Sequence, residues 1–203
     1  MESRSGERRP RFEPAGKGMR ILSSEINLKS PRKILVIGSG GAGKSTFARR
    51  LSEILGIDVV HLDALYWKPG WMEPSKEEWA ETVRGVLKRD AWIMDGNYSG
   101  TLAERIDACD AVIFLDVPRT TCLWRVIQRS AMYRNATRPD MAEGCVERLS
   151  FEFFAWIWNY PKRSRPKVVK LLDSERAKEK AVRLRTSSEV DRFLDGAAHG
   201  EFN

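Results

Sequence analysis

A glycine-rich loop that ends in a lysine–serine pair is the strongest chemical signal in this chain. Residues Gly38-Ser39-Gly40-Gly41-Ala42-Gly43-Lys44-Ser45, followed by Thr46, match the phosphate-binding pattern G-x-x-x-x-G-K-[ST]. The glycines allow backbone N–H groups to point at phosphate oxygens. Lys44 would reach the β- and γ-phosphates, and Ser45 would ligate Mg²⁺. We therefore expect residues 38–46 to bind ATP with Mg²⁺, against the alternative of a glycine turn that binds nothing.

Two aspartates follow apolar runs and are candidates for the chemistry at the γ-phosphate. Asp95 stands where P-loop proteins place a carboxylate for Mg²⁺, so we expect it to hold the metal together with Ser45. Asp63 could orient or deprotonate an acceptor hydroxyl, and we expect its strand to lie beside the P-loop strand. Either carboxylate could instead cap a strand end, and which is base and which holds metal stays open. Asp116 is expected to shape a turn.

Four of the arginines that follow the fourth apolar run are candidates for phosphate binding, namely Arg125, Arg129, Arg138 and Arg148. Guanidinium groups match phosphate oxygens in pairs of hydrogen bonds. We expect these arginines to neutralise the phosphates of a bound nucleotide, with Arg138 and Arg148 as catalytic residues. Residues 130–146 lack apolar periodicity, and a lid that could exclude water is predicted at about 130–148. The alternative is a solvated basic surface.

Aromatic residues concentrate in two places. Tyr66, Trp67 and Trp71 stand in a Pro/Gly loop just after Asp63, which predicts a planar or apolar acceptor face. A second group crowds a predicted helix at about 147–159. Core packing explains that helix adequately, and base stacking on an aromatic, basic surface is the sharper alternative.

Strand and helix patterns alternate along the chain, which predicts a P-loop α/β domain with three layers and a five-stranded parallel sheet. The predicted strands are 33–37, 57–62, 91–94, 111–115 and 181–184. Helices are expected after the P-loop, after a capping pair at Ser75 and Glu78, after the fourth strand, and at about 188–194. Ligands of such sheets bind at the carboxyl ends of the strands, where the P-loop and the aspartates fall.

Composition bounds the domain and its surroundings. The chain has 203 residues and a net charge of +7, with nine Lys or Arg against four Asp or Glu in residues 1–33. We expect a disordered basic tail at 1–30, a kinase-like domain at 31–196 and a short tail at 197–203. Three cysteines without a C-x-x-C pair, and no apolar run of membrane length, indicate a cytoplasmic protein without a membrane partner. A monomer or weak dimer is expected.

Several segments together resemble the bacterial DNA topology modulation proteins, an adenylate-kinase-like family of small P-loop kinases. The segments are His61-Leu62-Asp63-Ala64-Leu65-Tyr66-Trp67, Asp95-Gly96-Asn97-Tyr98, Thr137-Arg138-Pro139-Asp140-Met141 and Trp158-Asn159-Tyr160-Pro161. The resemblance covers about residues 32–195 and implies a fold of the nucleoside-monophosphate and shikimate kinase type with a lid. It also implies ATP as donor, with Arg129 in the nucleotide site and Arg138 and Arg148 in the lid.

The acceptor side departs from adenylate kinase. Asp95-Gly96 is followed by Asn97-Tyr98-Ser99, where that enzyme has Phe-Pro-Arg, so its acceptor-binding arginine is missing. We therefore expect a kinase for a small hydroxyl- or phosphate-bearing acceptor, with a nucleoside or nucleotide among the candidates. The alternatives are a nucleotide-dependent DNA-binding protein that affects topology, and a P-loop ATPase or switch. Nucleic acid is the less favoured partner, because no DNA-reading motif is apparent.

Overall fold

The computed structural model describes residues 31–134, 136–138, 140–145 and 150–202. The predicted basic tail at 1–30 and the predicted lid residue Arg148 lie outside these residues. The strands are β1 (Lys33–Gly38), β2 (Val59–His61), β3 (Trp92–Asp95), β4 (Ala111–Leu115) and β5 (Ala181–Leu184). The helices are α1 (Lys44–Leu55), α2 (Leu62–Tyr66), α3 (Lys76–Leu87), α4 (Leu102–Ala108), α5 (Arg119–Met132), α6 (Phe151–Arg163), α7 (Arg165–Leu172) and α8 (Ser187–Ala198), with a short 3₁₀ helix at Ser99–Thr101.

The five strands form one parallel sheet in the order β2-β3-β1-β4-β5. Their register brings the carboxyl ends together. Gly38 lies opposite Leu115, while Asp95 lies opposite Val36 on one side and His61 on the other. The predicted fold class, a three-layer P-loop α/β domain with a five-stranded parallel sheet, is therefore confirmed.

Two hydrophobic clusters cover the two faces of the sheet. Alternate residues of β1 enter opposite clusters, with Ile34 and Val36 in one and Leu35 and Ile37 in the other. The first cluster packs against α1, α5, α6 and α8, and the second against α3, α4 and α7. Burying one such aliphatic side chain is worth about 1.5–3 kcal/mol. The central strands are thus held from both sides, which fixes the edge of the sheet that carries the polar residues.

The helix that follows β2 corrects the prediction for Asp63. β2 ends at His61, so Asp63 lies in the first turn of α2 rather than at a strand end. The strand before Asp63 was also expected to neighbour the P-loop strand. That expectation is wrong, because β3 lies between β2 and β1. The physical reason is burial: all four residues of β3 are buried, whereas β2 has one buried residue and forms an edge.

The helix ends follow side-chain caps. Ser75 Oγ accepts the Glu78 N–H at 3.1 Å, which confirms the predicted capping pair. α6 begins after Ser150, whose Oγ accepts the Phe153 N–H, and it runs through Pro161, so it starts and ends later than predicted. α2, α4 and α7 were not predicted. The predicted domain end at 196 falls inside α8, and Phe202 is buried in the first cluster.

No helix within the described part of the chain is both long enough and apolar enough to cross a membrane.

The turn after β4 is fixed by ion pairs. Asp116 accepts hydrogen bonds from Arg165 Nε and Nη2 at 2.8 and 3.0 Å, and from Nε of Arg183 at 2.7 Å. Burial alone would raise the pKa of Asp116, but the hydrogen bonds and charges of the two arginines outweigh burial and hold that pKa below its usual value.

We predict that Asp116→Asn lowers the free energy of unfolding by about 3 kcal/mol near pH 7, because it leaves the arginines without their carboxylate. The stabilisation from a carboxylate with a lowered pKa is present above the unfolded-state pKa, near 4, and is lost as pH falls through the folded-state value. The variant should therefore lose less stability than the wild type between pH 4 and 2. Urea titrations across pH measure both effects. Asp107→Asn, at an exposed ion pair with Arg176, is the control; equal losses in both variants would contradict the prediction.

Candidate active site

The P-loop between β1 and α1 requires glycine at two positions. Gly41 has φ of 76°, and a Cβ there would lie 2.3 Å from the backbone oxygen of Cys122. A Cβ on Gly38 would lie 2.5 Å from the Leu115 oxygen. The tight approach to β4 and α5 explains these glycines. α1 begins at Lys44, so the positive end of its dipole faces the loop.

Lys44 and part of the loop backbone already have partners. Lys44 Nζ donates to the Ser39 backbone oxygen at 3.1 Å. Arg125 crosses from α5, donating through Nη1 to the Ala42 oxygen at 3.0 Å and through Nη2 to Ser187 Oγ at 3.4 Å. The loop is therefore anchored to the segment that follows β5.

A cavity of about 1540 Å³ opens over the loop at the carboxyl edge of the sheet. Most predicted site residues line it, namely Gly40, Gly41, Ala42, Gly43, Lys44, Ser45, Thr46, Asp63, Arg129 and Arg138. Three predicted residues do not line it: Gly38, Ser39 and Asp95. The structure thus brings the predicted donor residues and Asp63 into one space, although they come from different elements.

Asp95 is held by a histidine that the sequence argument left out. Its Oδ1 lies 2.8 Å from His61 Nδ1, and its side chain is 5% exposed. Burial alone would lower the pKa of His61. The hydrogen bond and charge of Asp95 outweigh that effect, so the pKa lies above its ordinary value. The two carboxyl strand ends, β2 and β3, are tied together by this contact.

The predicted lid segment contacts the P-loop through Asp140. Asp140 Oδ2 accepts hydrogen bonds from Ser45 Oγ at 2.9 Å and from Arg138 Nη1 at 3.0 Å. Burial opposes ionisation of Asp140, but the charge of Arg138 and the Ser45 hydroxyl hold its pKa below the usual value. Asp140 is therefore a charged group at the mouth of the P-loop, and the sequence argument had not selected it.

Asp63 is positioned by a tyrosine from the other half of the site. Tyr98 Oη donates to Asp63 Oδ1 at 2.6 Å. Burial, together with the charge of Asp63, raises the pKa of Tyr98, so its hydroxyl remains a donor at neutral pH. The hydrogen bond fixes one carboxylate oxygen of Asp63 and leaves the other for a ligand.

Aromatic rings form a wall beside Asp63. Tyr66 lies 5.1 Å from Trp67, 5.0 Å from Trp79 and 4.6 Å from Tyr98 between ring centroids. Trp67 in turn contacts Trp71 at 5.3 Å. Tyr66, Trp67, Trp71 and Tyr98 also line the cavity, together with Glu73. This wall matches the predicted planar or apolar face.

The segment Gly96–Tyr98 connects the two halves of the site. The Asn97 side chain donates to the Gly38 oxygen at 2.7 Å and accepts the Gly38 N–H at 3.0 Å. Arg105, fully buried, donates to the backbone oxygens of Gly96, Asn97 and Tyr98. Both the P-loop and the aromatic wall thus contact this three-residue segment.

Four residues in these contacts were missed from sequence. They are His61, Asn97, Tyr98 and Asp140. All four lie in the segments that carry the family resemblance, and each stands within three residues of a predicted site residue. Chain position indicates that a polar side chain is near a site, but it does not say which backbone group or carboxylate that side chain will contact.

A magnesium ion fits the donors at the loop. Mg²⁺ is usually held by one or two carboxylates together with phosphate oxygens and water. Ser45 Oγ already bonds one carboxylate, Asp140, and a second, Asp95, ends the strand that neighbours the P-loop strand. No group of three or more His, Cys, Asp or Glu able to hold a metal occurs among the residues that the structure describes. Ser45 and the two carboxylates would supply part of a coordination shell, with phosphate oxygens and water as the other ligands.

Comparisons with known proteins bear on the fold. No protein-family model matches the chain, and no curated protein matches it. A shikimate kinase from Acinetobacter baumannii in complex with shikimate is 16% identical with a TM-score of 0.51, over 83% of this chain and 92% of that one. A gluconokinase from Sinorhizobium meliloti 1021 is 14% identical with a TM-score of 0.49, over 85% and 92%. A deoxyadenosine kinase from M. mycoides with bound dATP is 14% identical with a TM-score of 0.45, over 81% and 97%.

The shikimate kinase similarity, taken with the strand order, shows that this chain has the P-loop fold of the nucleoside-monophosphate and shikimate kinase type. At 16% identity the similarity shows the fold alone. Activity must be argued from the site itself, because one fold supports many functions.

We predict that Asn97→Ala weakens ATP binding about tenfold, because Gly38 loses both hydrogen bonds that fix the start of the P-loop. Isothermal titration calorimetry with ATP and Mg²⁺ measures the change. Asn159→Ala is the matched control, since the Asn159 side chain donates to the Ala155 oxygen within α6, away from the P-loop. Equal ATP affinity in the wild type and Asn97→Ala would contradict the proposed role of the two Asn97–Gly38 hydrogen bonds.

Proposed function

We propose that the chain is an ATP-dependent phosphotransferase that moves the γ-phosphate of ATP to a hydroxyl group of a small molecule. One observation carries the proposal. Lys44 and Ser45 line the same cavity as Asp63, and Tyr98 holds Asp63 in place. A phosphate-binding loop and a carboxylate able to receive a proton therefore face one space, which is what phosphoryl transfer to a hydroxyl requires.

On the donor side, this proposal assigns charge neutralisation to basic residues. Lys44 and Arg129 would contact phosphate oxygens, and Arg138 would join them when those oxygens replace Asp140 as its partner. Mg²⁺, held through Ser45 with Asp95 or Asp140, would neutralise charge on the β- and γ-phosphates. Arg148 remains a predicted lid residue.

On the acceptor side, Asp63 would receive the hydroxyl proton. The Tyr98 hydroxyl occupies Asp63 Oδ1, so the acceptor would meet Oδ2. The bond from the acceptor oxygen to the γ-phosphorus forms as the bond to the β-phosphate oxygen breaks, and ADP leaves. General-base help of this kind contributes about 10²-fold or more.

The wall beside Asp63 bears on the acceptor class. Tyr66, Trp67 and Trp71 offer ring surfaces, which favour a planar or apolar acceptor. Asp63 and Glu73 carry negative charge at the same end of the cavity, so they disfavour an acceptor with its own phosphate or carboxylate. A neutral molecule with a ring and a hydroxyl, such as a nucleoside, meets both conditions better than a nucleotide.

The resemblance to the DNA topology modulation proteins supports the same proposal. Its motif residues Asp63, Asn97, Tyr98 and Asp140 line the cavity and contact one another or the P-loop, and His61 contacts a further motif residue, Asp95. Motifs that meet at one cavity are those expected of a site for small molecules. An ATPase without an acceptor is the main rival, and the two variants below separate it from a kinase.

Lys44→Ala should weaken ATP binding or turnover at least tenfold, because it removes the cation that faces the phosphates. Calorimetry with ATP and Mg²⁺ gives the affinity, and coupled ADP release gives the turnover. Lys178→Ala is the control, since Lys178 pairs with Glu175 on the surface. A folded Lys44→Ala protein with unchanged ATP affinity and turnover would contradict the assignment of the P-loop as the ATP site.

Asp63→Asn should lower acceptor-dependent turnover by about 10²-fold while ATP·Mg²⁺ affinity stays nearly intact, because only proton acceptance is removed. The acceptor would first be found by screening ADP release against nucleosides, nucleotides, sugars and small acids. If the variant instead loses Mg²⁺-dependent binding, Asp63 is a metal ligand. If it transfers phosphate normally, the acceptor site lies elsewhere, and ADP release that no acceptor stimulates indicates an ATPase.

A further inference from the structure

A second cavity of about 410 Å³ lies on the other side of the turn that follows β4. Its walls come from that turn, the C-terminal half of α6, the first residue of α7, and β5 with the residues beyond it. The P-loop residue Ser39 also lines it, although residues 40–46 of the loop face the larger cavity. This volume is in the range of small-molecule sites.

Arginines dominate the charge of this second cavity. Arg119, Arg165, Arg183 and Arg185 line it against a single acid, Asp116. Four positive charges and one negative charge leave a formal balance of +3 in a concave space. A concave surface of one sign concentrates counter-ions, so the charge balance favours an anionic ligand.

The ion pairs with Asp116 orient two of these arginines without using all their donors. Arg165 and Arg183 both bond Asp116 through Nε and Nη2. In both guanidinium groups, Nη1 takes no part in these bonds. Asp116 therefore holds two guanidinium groups in fixed positions while one nitrogen of each is left for a ligand.

A buried hydroxyl provides an independent observation. Tyr160 lines the cavity and is 4% exposed, yet its Oη has no hydrogen-bond partner among the described residues. Burial, together with the charge of Asp116, raises the pKa of Tyr160, so the hydroxyl stays protonated. Leaving a buried hydroxyl without a partner costs stability, and a bound oxyanion would accept its proton.

We propose that this second cavity binds the phosphate group of a small phosphorylated molecule, at a site separate from the P-loop. The guanidinium groups and the Tyr160 hydroxyl are donors suited to tetrahedral oxyanions. Val117, Pro118 and Arg185 line both cavities, so a ligand here would share a wall with the nucleotide site. Such a position suits a regulatory ligand rather than a reacting one.

The test uses the full chain carrying Lys44→Ala, which suppresses phosphate binding at the P-loop. Inorganic phosphate is titrated by calorimetry at constant ionic strength and compared with further substitutions in this background. Tyr160→Phe and Arg165→Ala should each weaken phosphate binding about tenfold or more, because each removes a donor to a charged ligand. Arg176→Ala, at the exposed ion pair with Asp107, should leave phosphate binding unchanged.

Tyr160→Phe also gives a readout that an ordinary packing residue would not. Without phosphate its melting temperature should equal or exceed that of the parent, since it loses only an unpartnered oxygen. Phosphate should then raise the melting temperature of the parent more than that of the variant. Absence of phosphate binding in the Lys44→Ala protein would overturn the proposal. Equal affinities in Tyr160→Phe and the parent, or equal weakening by Arg176→Ala, would overturn it as well.

Discussion

The geometry of the site depends on the hydrogen bonds of one buried guanidinium group, that of Arg105. A buried charge without partners is costly, and Arg105 is fully buried. It donates to three consecutive backbone oxygens, those of Gly96, Asn97 and Tyr98. Burial lowers the pKa of Arg105, yet an arginine stays charged at neutral pH. The cation can be satisfied only if this segment keeps one conformation, so the strand end beyond β3 is fixed.

The fixed segment sets both halves of the cavity. Asn97 bonds the backbone of Gly38, and Tyr98 bonds the carboxylate of Asp63. A shift of the segment would therefore displace the P-loop and the proposed base together. Transfer between two bound groups is sensitive to displacements of about 1 Å, because proximity supplies much of the rate. A shared anchor keeps the relative position of the two groups constant while each side binds its own ligand.

The sequence predicted the sheet well because local periodicity reports burial. β4 and β5 match their predicted bounds, and their residues are almost all buried. Strand order cannot be predicted in this way, because β2 and β3 carry similar short apolar runs and only packing decides which is central. Contacts in the site were harder still. Asn97 meets Gly38 across 59 positions, and Tyr98 meets Asp63 across 35. No local pattern encodes such pairs, so sequence identified the region of the site but not its hydrogen bonds.

Guanidinium–carboxylate pairs occur at both cavities, and the same guanidinium groups are suited to bind phosphate. Asp140 holds Arg138 beside Ser45, and Asp116 holds Arg165 and Arg183 beside Tyr160. A carboxylate and a phosphate present similar pairs of oxygens to a guanidinium group. At the predicted lid, a phosphate that replaces Asp140 as the partner of Arg138 leaves the Asp140 carboxylate in need of a new partner, which Mg²⁺ would supply. At the second cavity, Asp116 is shared by two arginines, and a ligand would add to the pairs rather than replace them. In the proposed phosphotransferase, the first arrangement would suit a phosphate that enters and leaves with each nucleotide, and the second would suit a ligand that stays bound.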